Sequence, residues 1–269
     1  MPSYAVIGAS RGIGLEYFRQ LAARQDSTVF AVVRNPAGSA HLNVAIAGLQ
    51  NVHVVEADVA DYPTLEHAAR EISYVTGGKL DVLIHVAANV IMKGFDDYDN
   101  MDELDAEFMV TYKTNALGPV HPITVFLPLL RIRASSTRKI VVLSAGAAES
   151  KFNLIFEHAR MAAYGMSKAA ALIATTKFAV KLKDEGFVAV SLNPGFVDVS
   201  GTRSASANDK DREAIAVFGD RSAAEFGATF ALTSPEASVS AQLKIIDGLK
   251  PPDNGLHLTR DGAEWAPPS

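Results

Sequence analysis

Near its start the chain runs Tyr4-Ala5-Val6-Ile7, then without a break Gly8-Ala9-Ser10-Arg11-Gly12-Ile13-Gly14, then apolar residues at helical spacing, Leu15, Phe18, Leu21 and Ala22. Strand, glycine-rich turn and helix in direct succession restrict the possible folds more than any other stretch. Gly8 permits the tight turn, Gly12 lets another group approach the backbone, and Gly14 lets helix and strand pack closely. The unpaired N–H groups at the start of the helix face that turn and suit an anion such as a pyrophosphate, with Ser10, Arg11 and Ile13 completing the cradle. The spacing is G-x-x-x-G-x-G, not the G-x-G-x-x-G of the dinucleotide fingerprint.

The rest of the chain repeats the alternation. Continuous apolar runs predict strands at 5–7, 28–33, 52–56, 82–86, 139–143, 188–192 and 244–246. Helical patterns fall at 15–24, 62–76, 101–131, 162–184 and 222–232. Strands that are apolar on both faces and separated by helices predict one α/β domain over residues 1–269, a doubly wound parallel sheet of about seven strands with helices on both faces. Two segments interrupt the pattern. They are an insert at 145–160 and a Ser/Ala/Asn/Asp-rich stretch at 196–217, which follows the turn Asn193-Pro194-Gly195 where such sheets carry either lids or plain surface loops.

Composition narrows the function. The 269 residues include no cysteine, which removes disulfides and thiol nucleophiles. A net charge of −5 gives no basis for nucleic-acid binding. No apolar run reaches the roughly 18 residues a membrane span needs, and Met1-Pro2-Ser3 leads directly into the first strand with no signal-peptide pattern. The expectation is a cytoplasmic protein with no membrane partner.

Tyr164-Gly165-Met166-Ser167-Lys168 carries the chemistry. On a helix, residues four apart share a face, so the Lys168 ammonium can sit near the Tyr164 phenol and favour its ionised form. The plainer alternative is a helix whose Tyr and Lys both face solvent.

Together these residues resemble the short-chain dehydrogenase/reductase family across the whole chain. The features that carry the resemblance are Gly8-x-x-x-Gly12-x-Gly14, Asp58-Val59, Asn115, Tyr164-x-x-x-Lys168 and Pro194-Gly195. The C-terminal run from Ile246-Asp247-Gly248 to Asp261-Gly262-Ala263-Glu264-Trp265 is similar to the sniffer/C-factor-like carbonyl reductases of that family. The resemblance implies a Rossmann-like fold, a nicotinamide cofactor, a small-molecule substrate and a homodimer or homotetramer built on the long helices beginning near 101 and 162. It also implies roles. Asp58 would bond the adenine with Val59 beside it, the plainer alternative being a helix N-cap. Asn115 would hold a water or a helix carbonyl behind Lys168. Lys168 would bind the ribose and lower the tyrosine pKa, and Tyr164 would give a proton to the substrate oxygen. Ala87, Pro194, Gly195 and Val197 would line the cofactor.

Cofactor choice is read from residues. The second strand ends Val33-Arg34, without the acid that bonds a ribose 2′-hydroxyl in NAD-specific proteins, and Arg11 lies in the glycine-rich turn on the same side. Two guanidinium groups suit a 2′-phosphate, so the expected cofactor is NADPH.

Three departures from the family pattern stand out. Its Asn-Asn-Ala-Gly element appears as His85-Val86-Ala87-Ala88, and His85 is expected to be structural. Its catalytic serine falls on Ala145, with Ser144 one residue earlier and a lengthened stretch before Tyr164. Ser144 could take over, Ser150 or another insert residue could, or the donor could be absent; Ser144 is the first choice. The usual threonine after Pro-Gly falls at Val199. The leading expectation is an NADPH-dependent reductase of a ketone, aldehyde or imine, with Phe95, Phe152, Phe156, Met161 and Phe196 as apolar pocket candidates. The alternative is a relative that binds cofactor but performs a non-redox step.

Overall fold

The computed structural model describes residues 1–132, 138–202, 219, 223, 224 and 231–266. Its frame is a seven-stranded sheet in the order β3-β2-β1-β4-β5-β6-β7. The strands are β1 (Ser3–Ile7), β2 (Thr28–Val33), β3 (Val52–Glu56), β4 (Val82–His85), β5 (Arg138–Leu143), β6 (Phe187–Leu192) and β7 (His257–Leu258), and every pairing is parallel. The helices are α1 (Gly12–Ala22), α2 (Ala40–Ala45), α3 (Tyr62–Thr76), α4 (Met101–Tyr112), α5 (Gly118–Arg131), α6 (Ser150–Ile155), α7 (Ala162–Leu182) and α8 (Pro235–Gly248).

Parallel strands need crossover helices, and these cover both faces of the sheet. Side chains alternate along β1: Tyr4 and Val6 join the core beneath α1 and α8, whereas Ala5 and Ile7 join the core beneath α3, α5 and α7. The chain winds one way from β1 through β3 and the other way from β4 onward, so a crevice opens where the carboxyl ends of β1 and β4 meet. Gly8 marks that point. It has φ +93°, and a Cβ there would come within 2.7 Å of the Ala87 backbone.

Six strands and most helices fall where the sequence places them. The seventh does not: Lys244–Ile246 lies inside α8, whose N-terminus is capped by the Ser234 hydroxyl accepting from Ala237 N–H. Val239, Gln242, Leu243 and Ile246 are buried at spacings of three and four, which is a helical period. The edge strand is instead His257–Leu258, which the sequence marks only as part of the C-terminal motif. The long helix expected at 101–131 is interrupted by a π-turn at Lys113–Leu117. The insert contains the short helix α6, and α2 has no counterpart in the sequence reading. Of the helix expected at 222–232, residues 223 and 224 are helical, 231 and 232 are not, and the rest lie outside the described residues, as does the lid beyond Thr202.

Candidate active site

Tyr164 sits in the first turn of α7, immediately after Met161, whose φ of 59° reverses the chain into the helix. Ala162 N–H donates to the Lys93 carbonyl at 3.1 Å, tying this helix start to the segment after β4. Gly165 allows the close fit of α7 onto residues 146–148, since a Cβ there would lie 2.9 Å from the Ala147 carbonyl oxygen. Tyr164 is therefore held at the carboxyl end of the sheet and is partly buried.

Lys168 follows one turn later with only 3% of its surface exposed. Its Nζ donates to the Leu143 carbonyl at 2.6 Å and lies 5.8 Å from the centroid of the Tyr164 ring. Burial pushes the ammonium down to about 8 and the Tyr164 phenol up to about 12. The expected lowering of the phenol is not present here. Loss of solvation disfavours both charges, and the ammonium is directed at a backbone carbonyl. Tyr164 is thus a neutral phenol with a proton to give.

Asn115 lies in the π-turn, a helix irregularity common at functional sites. Its Nδ2 donates to the Asn89 carbonyl at 2.8 Å and to Ser167 Oγ at 2.9 Å, while its Oδ1 accepts from Asn89 N–H at 2.7 Å. The side chain pins the loop after β4 against α7 and is not directed at a helix carbonyl behind Lys168. The π-turn accounts for this by turning Asn115 inward between those two elements.

Ser144 is 5% exposed, its N–H donates to the Leu192 carbonyl at 2.9 Å, and its hydroxyl has no partner among the described residues. Ala145 continues in extended backbone (φ −158°, ψ 156°) and is partly buried. Ser150 begins α6 and is exposed. His85 is 1% exposed with neither ring nitrogen in a hydrogen bond of ordinary geometry. Burial first, and the Lys168 charge second, hold it down to about 3, so it is neutral.

The glycine-rich turn has the shape its sequence predicts. A Cβ on Gly14 would come within 2.1 Å of the Gly8 carbonyl oxygen, and Gly12 has φ +57°. Arg11 is the exposed N-cap of α1, Ser10 and Ile13 are partly buried beside it, and Arg34 is exposed at the end of β2. Gly12 N–H donates to Thr202 Oγ at 2.8 Å, and Val199 packs against Gly12. The amide expected to hold an anion therefore already faces an acceptor oxygen. The sequence does not single out Thr202, because the family motif places its threonine three residues earlier, at Val199.

Asp58 is not a helix N-cap; its Oδ1 accepts from Ala60 N–H at 2.8 Å in a local turn, and Asp61 precedes α3 instead. Val59 is buried, and its carbonyl accepts from His121 Nδ1 at 2.9 Å. Gly195 has φ +76°, and Val197 bridges to Thr233. Among the pocket candidates, Phe152 and Phe156 are core-like, 4.4 Å apart between centroids, with Phe196 packed 6.4 Å from Phe152. Phe95 is exposed and stacks on Phe108, and Met161 is partly buried. Among the described residues, no helix is long and apolar enough to cross a membrane, and no group of three His, Asp or Glu side chains could hold a metal.

A glycine-lined crevice at the switch point of a doubly wound sheet, with a tyrosine and lysine at its carboxyl edge, is the architecture of a nucleotide-binding α/β fold. The short chain dehydrogenase family model matches residues 3–211. The short-chain dehydrogenase/reductase atnB of Arthrinium sp is 35% identical over 97% of this chain and 98% of its own length. The chain belongs to the short-chain dehydrogenase/reductase family, which uses a nicotinamide cofactor. In fold it is similar to the NADPH-bound carbonyl reductase from chicken fatty liver (TM-score 0.80, 24% identity, 99% of each chain). It is equally similar to the carbonyl reductase Sniffer of D. melanogaster (TM-score 0.80, 23% identity, 99% of each chain).

Proposed function

We propose that this protein is an NADPH-dependent reductase of a carbonyl or imine carbon in a small, fairly apolar molecule. The observation that carries the reading is the neutral Tyr164 phenol one turn from the Lys168 ammonium, at the carboxyl end of the sheet that also bears the glycine-rich cradle. Bound NADPH would supply hydride. Gly8, Ser10, Gly12, Ile13 and Gly14 would hold its pyrophosphate at the N-terminus of α1, and Arg11 and Arg34 its 2′-phosphate. Asp58 and Val59 would border the adenine, and Ala87, Pro194, Gly195 and Val197 the rest, the last three at the nicotinamide end.

The chain's own contribution is a proton. As hydride arrives, the substrate oxygen becomes an alkoxide, which is more basic than a phenolate even at a phenol pKa of about 12. Proton transfer from Tyr164 is downhill. Lys168 would then stabilise the phenolate and orient the ribose. Asn115 acts by holding Ser167 and Asn89 around it. Ser144 is the proposed donor to the carbonyl oxygen, supported by its unengaged hydroxyl.

A non-redox function is the second reading, favoured by Ala145 at the position the family gives to its serine and by the burial of Ser144. An NADPH-oxidation assay over ketones, aldehydes and cyclic imines separates the two. Turnover on any compound supports reduction, and tight NADPH binding with no turnover supports the second reading. We also infer a homo-oligomer through α4 and α7. Met109 and Val110 on the former and Met166, Ile173 and Val180 on the latter are all more than half exposed, and the last three recur every seven residues along one helix face.

A further inference from the structure

A chain of three hydrogen bonds crosses the interior on the opposite face of the sheet from Tyr164. Tyr17 on α1 donates its hydroxyl to Gln242 Oε1 at 2.7 Å, Gln242 Nε2 donates to Ser238 Oγ at 2.9 Å, and Ser238 Oγ donates to the Pro194 carbonyl at 2.9 Å. Tyr17 and Gln242 have no exposed surface and Ser238 has 1%. Each donor points toward Pro194, so each bond polarises the next. Replacing such a chain by apolar groups of the same shape is often nearly neutral for stability. Stability alone gives little reason to bury it.

What the chain connects gives a reason. Its first member lies one helical turn beyond Gly14, on the helix whose N-terminus forms the anion cradle. Its last bond ends on the peptide joining Pro194 to Gly195. That peptide is held from both sides, since Gly195 N–H donates to Asn193 Oδ1 at 3.0 Å. Its plane is therefore fixed, and Gly195, at φ +76°, directs Phe196 and Val197 from that fixed plane.

We propose that Tyr17, Gln242 and Ser238 are positioning residues, a strut that sets the separation between the turn holding the cofactor's pyrophosphate and the turn holding its nicotinamide end. None of the three belongs to the proposed catalytic or cofactor-contacting set. The inference rests on the NADPH reading above and deepens it. A ligand that spans both turns depends on their spacing, whereas one that reaches only the first does not.

The test measures dissociation constants for NADPH and for 2′-phospho-ADP-ribose, which lacks the nicotinamide, in wild-type protein and in Gln242→Met, Ser238→Ala and Tyr17→Phe. Thermal melting identifies any variant that fails to fold, and Ser238→Ala, the smallest change, keeps the comparison available. The expected result is a weakening for NADPH of about tenfold, the worth of roughly one buried hydrogen bond, with less than about twofold change for the truncated ligand. Tyr17→Phe combined with Ser238→Ala should cost little more than Ser238→Ala alone, because the chain is already broken. Equal weakening of both ligands, or no change in either, would overturn the strut. Wild-type protein that binds neither ligand would instead overturn the NADPH reading, and the strut with it.

Discussion

Lys168 directs its ammonium at the backbone carbonyl of Leu143, 2.6 Å away, at the last residue of β5. That bond joins the helix bearing Tyr164 to the end of β5, one residue before Ser144, so three proposed catalytic side chains share one rigid attachment. It also buries the ammonium, which lowers its pKa to about 8, while burial holds the Tyr164 phenol at about 12.

The two values fix the pH dependence. A lysine with a lowered pKa is charged below that value and loses its charge as pH rises through it. Tyr164 keeps its proton over the same range. Reductase kcat/KM should therefore be level near neutrality and fall above about pH 8. In Lys168→Met the rate should be low and the limb absent. A limb that persists unchanged in Lys168→Met would assign it to another group.

The proposed preference for NADPH rests on Arg34, exposed just after β2. Arg34→Asp should weaken NADPH binding by about tenfold or more, because a carboxylate would replace a guanidinium beside the 2′-phosphate. NADH affinity should hold steady or improve. Wild-type protein with equal affinities for the two would remove the basis for the assignment.

Ser144, the first choice by sequence for donor to the substrate oxygen, is also the one whose buried hydroxyl has no partner among the described residues. Ser144→Ala should lower kcat by about 10²-fold, leaving NADPH affinity unchanged. If Ser144→Ala is silent and Ala145→Ser raises turnover on simple ketones, the donor position is vacant in the natural sequence.

How much was legible follows from what each feature depends on. The cradle was, because Gly8 and Gly14 occupy places where a Cβ collides with backbone, and such positions leave glycine in the sequence. The pairing of Tyr164 with Lys168 was, because helical spacing alone puts them on one face. The seventh strand was not. Lys244–Ile246 holds only two apolar residues, and only the burial of Val239, Gln242, Leu243 and Ile246 reveals its helical period. His257–Leu258 is two residues long and owes its strand geometry to pairing with Ser191 and Leu192, a distant contact. The direction of the Tyr164 shift was also hidden, because desolvation is set by packing. Thr202 reaches Gly12 through the path of its loop, which the motif spacing does not carry.

If Tyr164 gives the proton, removing its hydroxyl must stop reduction without loosening the cofactor. NADPH oxidation over a panel of ketones, aldehydes and cyclic imines, with NADPH dissociation constants in parallel, is measured for wild type and Tyr164→Phe. The prediction is turnover on at least one compound by wild type and a loss of at least about 10²-fold in Tyr164→Phe, with NADPH affinity within about twofold since the ring still packs. A Tyr164→Phe protein that reduces the same compound at the wild-type rate would contradict the account.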